Sequence, residues 1–404
     1  MLVAAIAALV LSSAADAVET SILTSPTPAA GAEMAYAVGV DGTELAMGAP
    51  GENAIAGAVY TVDCSTLPCA APLRIAPADI VAGAAFGSSV DMSGNTLVAT
   101  APGPEPGAAY VFVSNGSGWS QQAKLTPSGG TSGERFGLSA SLSGDRLAVG
   151  ADQAGVGAGA VYVFVRSGAT WTQEARLTAA DAIAHDAFGS SVSLDGDTLL
   201  VGAPFKRVSA LGSYSNGAAY VFTRDAGGWS QQAKLLPATS ANGDLFGFAV
   251  DVAGDRAVIG VPYAASSQGA AYVFARNGTS WTQQAKLTAT GGALGDEFGW
   301  SVAQNDSGIL VGAPFVGQLA GAPCGSTYLF DGTVLSETTG ATIEAPVLDE
   351  MAGWAIATSG ARWLTSAPGY VIGTNEHAGA AYWFDPTITI FHAGFDAPGA
   401  CGVE

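Results

Sequence analysis

Residues 136–177 read FGLSASLSGDRLAVGADQAGVGAGAVYVFVRSGATWTQEARL, and four strands separate out of them. Phe136 to Leu142 alternates apolar with small or polar residues, the period of a half-buried strand. Ser143-Gly144-Asp145 is a tight turn, and Leu147 to Gly150 follows as a nearly continuous apolar strand. After a glycine-rich loop containing Asp152, Ala160 to Val165 makes the third strand. Ser167-Gly168-Ala169 turns the chain, and Trp171 to Leu177 alternates as a fourth. Four strands on three short connections form an antiparallel meander.

The phrase recurs along the chain. Phe-Gly pairs begin at Phe86, Phe136, Phe188, Phe246 and Phe298, with degenerate versions at Tyr36-Ala37 and Trp354-Ala355. Successive starts lie 50 to 58 residues apart. A period near 50 fits one four-stranded unit per repeat, each too small to bury its own faces. Third strands follow at Val59-Tyr60, Tyr110, Tyr162, Tyr220, Tyr272, Tyr328 and Tyr382, each preceded by an Ala or Gly-rich approach such as Gly107, Gly159, Gly217, Gly269 and Gly379. The expected fold is all-β, a seven-bladed β-propeller of four-stranded antiparallel blades. Small residues around the FG pair suit a crowded inner edge, and the YVF and Trp aromatics suit the wider space outward. The last blade needs an outer strand, for which Ser21 to Thr24 and Ile388 to Phe391 compete. A ring closed this way is expected to be a monomer, with no sheet edge left over.

FGxSV, LxVGAP, GAxYVF and WTQQAKLT resemble the FG-GAP repeat family, the unit of the integrin alpha-subunit propeller and of many bacterial extracellular proteins. The resemblance covers about residues 21–390 and implies a seven-bladed propeller in an extracellular setting. It implies no single activity, because function sits in sites grafted on the fold. Integrin-type repeats carry a D-x-D-x-D-G-x-x-D calcium loop between the first two strands. Here that connection is cut to turns such as Ser143-Gly144-Asp145 and Asp195-Gly196-Asp197. Calcium takes six to eight oxygens, so no cofactor is expected; Asp195 with Asp197 is the nearest remnant, and Asn305-Asp306 the next. Asp or Asn bonding its own turn backbone explains these residues better.

Charged residues make up only 12% of the chain while Gly and Pro number 55 and 19, a composition for sheets with many tight turns. Net charge is −20, with the basic residues scattered singly, so nucleic acid and anionic membranes are poor partners. The apolar run Leu2 to Leu11 is about half the length of a membrane span. Followed by Ala15-Asp16-Ala17, it reads as a signal peptide over residues 1–17, although no Lys or Arg precedes it. The propeller then spans 18–391 and a tail 392–404, and the protein is expected to be secreted, periplasmic or at the cell surface. In that compartment Cys64 and Cys69 are expected to pair, contributing roughly 2 kcal/mol through loop entropy. A Cys324–Cys401 bridge would tether the tail.

Chemistry is sparse. His185 precedes an aspartate that sister repeats share at Asp244 and Asp296, so the Asp reads as a turn contact and the histidine as incidental. His377 beside Glu376 is a conceivable acid–base pair, and His392 lies in the tail. Ser167 to Trp171 is similar to a sialidase box without its aspartate; Arg166, Arg224 and Arg276 share one repeat position and read as structural. No catalytic residues are assigned. The loops after GAP are the irregular part of each unit, where recognition usually lives. They hold the candidate ligand-binding residues Phe205, Lys206, Arg207, Tyr214, Tyr263, Phe315 and Tyr370. The expectation is a non-catalytic binding or adhesion scaffold for a protein or glycan. Its rivals are an extracellular hydrolase or lyase with carboxylates at the ring centre, and a purely structural envelope module. The tail Ile390 to Asp396 resembles short sorting sequences of some exported proteins.

Overall fold

The computed structural model describes residues 19–66, 68–103, 106–207, 216–239, 241–306, 308–317, 325–331, 341–344, 351–372 and 374–384. The signal segment, Tyr214, Cys324, the 388–391 strand candidate, His392 and the tail with Cys401 lie outside them. The described residues form seven four-stranded antiparallel sheets. The third is typical, with strands Ala140–Ser143, Arg146–Ala151, Ala160–Ser167 and Thr170–Leu177. The first strands of the sheets touch one another in cyclic order, so they line a central channel and the fourth strands lie at the rim. This is the expected propeller.

The seventh blade takes its fourth strand from the other end of the chain. Glu19–Thr24 pairs with Ala380–Phe384, with Ile22 opposite Tyr382 and Thr24 opposite Ala380. Of the two closing candidates, the N-terminal one is used. Hydrogen bonds between the two ends of the chain thus hold the ring shut, and no sheet edge is left open at the seam.

Within each blade the motif phenylalanine is the keystone of the core. Phe188 is fully buried and meets Tyr220 and Phe222 edge-on, with ring centroids 5.6 and 5.8 Å away. Phe86, Phe136, Phe246 and Phe298 repeat the arrangement. The first and seventh repeats correct the sequence register by two residues. Gly379 packs on the backbone of Met34, and Gly325 bridges to Ala352, as Gly159 bridges to Phe188. The structural counterparts of Phe-Gly are therefore Met34-Ala35 and Ala352-Gly353, not Tyr36-Ala37 and Trp354-Ala355. A smaller side chain at the keystone hid the true register, while an aromatic residue two positions later imitated it.

Neighbouring blades are also latched by side chains at both ends of the sheet. On the channel side, an inner strand presents unpaired amides, and the preceding blade supplies acceptors for them. Leu142 N–H donates to Asp91 (2.7 Å), Leu194 N–H to Ser141 (3.0 Å), Val252 N–H to Ser193 (3.0 Å) and Gln304 N–H to Asp251 (2.8 Å). Below them, the first residue of each short turn accepts from the glycine of the next turn: Gly144 to Ser93, Gly196 to Ser143, Gly254 to Asp195 at 2.7 Å. Asp195 is thus a latch to the next blade, and Asp197 faces Arg146 and Arg224 at 3.6 Å each.

On the rim, a bulge sets the latch. Val163 and Phe164 face Ala175 and Gln173, so Glu174 is an extra residue turned toward the next blade. It accepts the Trp229 indole N–H at 3.0 Å, while Gln122 accepts from Trp171 at 2.8 Å and Gln232 from Trp281 at 2.9 Å. Arg166 and Arg276 stack on Trp171 and Trp281 and reach back to threonines of earlier blades, while Arg224 pairs with Glu174. All three arginines are structural. The Cys64–Cys69 bridge is formed.

The latch carboxylates have an electrostatic cost. Burial pushes Asp91 and Asp251 up to about 6, against the amide and hydroxyl donors that favour their charge. Both keep part of their surface toward the channel, where water moderates the effect. In the folded state they hold protons that the unfolded chain has released above about pH 4. Their contribution is complete below that value and lost as pH rises through 6. Asp181 runs the other way: although burial opposes it, hydrogen bonds from Lys234 and Tyr220 hold it down at about 2, so its stabilisation is lost as pH falls from 3.8 toward 2.

Three outcomes are expected. Phe188→Ala costs about 3–5 kcal/mol in denaturant unfolding. Deleting residues 19–24 lowers the thermal midpoint far more than deleting residues 388–391. The midpoint of the intact protein rises from pH 7 to about pH 4.5 and falls below pH 3.5, and Asp91→Asn with Asp251→Asn flattens the upper limb.

Candidate functional site

In an antiparallel four-stranded blade, the loop between strands two and three and the loop into the next blade emerge at the same end. All the GAP loops and all the segments before the Phe-Gly pairs therefore share one face. Among the described residues, seven of the nine exposed large apolar side chains lie there: Ile55, Val81, Val156, Ile183, Phe205, Leu294 and Val371. The other two, Ile22 and Leu73, sit on rim strands.

At the channel mouth of that face runs an arc of aromatic rings. The residue two places after the keystone sits where the chain enters the inner strand. It is Phe248 in the fifth blade, Trp300 in the sixth, Trp354 in the seventh and Tyr36 in the first. Ring centroids follow one another at 4.8, 4.8 and 5.6 Å, an unbroken contact across four blades. Tyr263 backs Phe248 at 6.2 Å, and Phe315 stands edge-on to Trp300 at 5.4 Å. All six rings are half-buried. The other three blades place Ser88, Leu138 and Ser190 at the same position, and both serines are folded back onto the carbonyls of Ala85 and Ala187.

Charges flank the arc. Glu297, just before the sixth keystone, has a left-handed backbone (φ 55°) and a buried Oε2 with no hydrogen-bond partner among the described residues. Burial alone pushes its carboxyl up to about 7. Burial of the ring, and after it the Glu297 charge, raise the Tyr263 phenol. Glu33, at the equivalent place in the first blade, is also raised by burial, with the nearby His377 opposing. A carboxyl poised near 7 beside packed rings offers a donor or an acceptor according to pH, with apolar ring surface next to it.

The candidate residues divide around this arc. Tyr263 and Phe315 belong to it. Phe205 and Arg207 are exposed and line a separate cleft of about 320 Å3 with Gln153, Gly157, His185 and Ala187. Lys206 is withdrawn from solvent: its Nζ donates to Asp186 at 2.8 Å and to the Asp181 carbonyl, a buried cross-link within the loop base. Tyr370 packs beside Ala352, Ala367, Tyr382 and Phe384. The shared aspartates close turns as expected, with Asp186, Asp244 and Asp296 accepting from Ile183, Ala241 and Ala293 N–H. Phe248, Trp300 and Glu297 escaped the sequence reading, which took Tyr36 and Trp354 for degenerate Phe-Gly positions and not for site residues. Their signal was the single column after Phe-Gly, which reads Ser, Leu and Ser in three repeats and Phe and Trp in the next two.

No group of three His, Cys, Asp or Glu side chains among the described residues is placed to hold a metal ion. No helix among them is long and apolar enough to cross a membrane. Among solved structures, that of Saccharomyces cerevisiae Sqt1 is similar, with a TM-score of 0.50 and 11% identity over 91% of this chain and 98% of that one. At that identity the likeness concerns the fold alone. No curated protein matches the chain. A family model described as FG-GAP repeat matches residues 73–112, 119–164, 171–222, 229–274 and 281–330. With more than half of its length matched, and each matched repeat running from the fourth strand of one blade through the third strand of the next, the chain belongs to the FG-GAP repeat family.

Proposed function

We propose that the protein is a non-catalytic binding scaffold, exported to the envelope or beyond, that takes a protein or glycan ligand on the loop face. One observation carries the reading: aromatic and exposed apolar side chains are concentrated on a single face, with a continuous arc of rings at its centre. Half-buried aromatics on a rigid frame give a ligand large contact area at little cost in side-chain entropy. The frame is held because each blade is hydrogen-bonded to the next at the channel, and blades two to five also at the rim. A paired-cysteine loop and the leader-like N-terminus support export.

The catalytic alternative would draw on the raised carboxyls Asp91 and Asp251 at the centre. Asp91 accepts from Leu142 of the next blade and from its own neighbour Met92, and Asp251 from Gln304 of the next blade and Ser193 of the preceding one, which favours a structural use of these groups. In a glycan and secreted-protein screen of the mature chain, binders found for the wild type are expected to lose at least tenfold in affinity for Trp300→Ala with Trp354→Ala. Circular dichroism is expected to stay unchanged, as is binding in EDTA. Full affinity in the double variant would remove the arc from the reading.

A further inference from the structure

The cleft between the third and fourth blades is chemically unlike the arc. Its walls are Gln153 and Gly157 from one blade's loop, and His185, Ala187, Phe205 and Arg207 from the next. The two walls are tied by backbone bonds, Ala187 N–H to the Gly157 carbonyl at 2.8 Å and His185 N–H to Val156 at 3.2 Å. Gly157 keeps the cleft open: its φ is 74°, and a Cβ there would lie 3.3 Å from His185 Nδ1.

Charge sets the preference of this cleft. No carboxylate lines it, and those nearby each have a cationic partner, Asp152 with Arg135 at 3.2 Å, Asp186 with Lys206 at 2.8 Å and Asp181 with Lys234 at 2.7 Å, although one oxygen each of Asp152 and Asp186 is buried without a hydrogen-bond partner among the described residues. Gln153 is steadied by Asp152, which accepts from its Nε2 at 3.0 Å. Arg207 is left over. Among the described residues it alone of the basic side chains has no hydrogen bond, ion pair or ring contact. In a chain of net charge −20, an unmatched guanidinium at a concave site is the exception. Beside it stands Phe205, 45% exposed, although its repeat counterparts Tyr263 and Phe315 are packed into the arc.

We infer that this cleft binds a carboxylate-bearing sugar: Arg207 takes the carboxylate in a two-point contact, the Phe205 ring supports the apolar face of the pyranose, and Gln153 and His185 meet its hydroxyls. A guanidinium fork matches a planar carboxylate, and an exposed ring matches the C–H face of a sugar. The volume admits one or two sugar rings, within the usual range of small-ligand clefts. The inference names a ligand class for a second site on the loop face and does not depend on what the arc binds.

The test is calorimetric titration of the mature protein with methyl glucuronide, methyl glucoside, acetate and inorganic sulfate. Binding of the glucuronide at least tenfold tighter than of the other three is expected. Arg207→Ala is expected to abolish that preference, Phe205→Ala to weaken the glucuronide at least fivefold without changing acetate, and Trp300→Ala to leave it unaltered. Equal binding of sulfate and glucuronide, glucuronide binding retained in Arg207→Ala, or no binding by the folded wild type would each overturn the proposal. None of these outcomes bears on ligands of the arc, which the Trp300 and Trp354 variants report separately.

Discussion

Each blade meets the next through backbone laid directly on backbone. At Gly159 a Cβ would fall 1.9 Å from the Phe188 carbonyl oxygen, and the same contact recurs from Gly57 on Phe86 round to Gly379 on Met34. No side chain fits there, and each of these glycines also has a positive φ. The contact seats the phenylalanine between the Tyr and Phe of its own third strand, which fixes the tilt of the blade. Seven repetitions of one steric demand give the ring, and its closure rests on the strand that the N-terminal segment lends to the seventh blade.

A channel built this way exposes seven inner strand edges to one another. From the second blade to the sixth, Ser and Asp side chains of the preceding blade satisfy them, and the bulged Gln or Glu of the fourth strand does the same at the rim from the second blade to the fifth. The short turn between the first two strands takes part as well: Asp195 accepts from the Gly254 amide of the next blade. Two of the latches are carboxylates that would rather be protonated, so the ring is tighter in mild acid than at neutral pH.

The regular side of the scaffold contrasts with its loop face. Latches and keystones recur blade after blade, whereas the rings at the channel mouth occupy only four consecutive blades, and the unmatched Arg207 lies in the remaining sector. Two unlike chemistries, an aromatic arc and a cationic cleft, thus sit side by side on one rigid frame. That division fits the binding role proposed for the loop face.

Much of the architecture was legible in the residues, because the steric rule at Gly159 and the apolar demand at Phe188 act locally and repeat at a fixed interval. The same locality made the Asp186-type turns and the structural arginines readable. The site was less so. Tyr263 and Phe315 were visible after GAP, but their partners Phe248, Trp300, Trp354 and Tyr36 stand in sequence 52 or more residues apart and meet only once the ring has closed. Lys206 and Arg207 are adjacent and chemically alike, yet one turns inward to neutralise Asp186 and the other outward to solvent. Sequence alone determined the blade, its repeat and their number, since those follow from short-range packing. Only the tertiary structure decided which aromatics touch, which cation is free and which end of the chain closes the ring, because those depend on distances between blades that no single repeat contains.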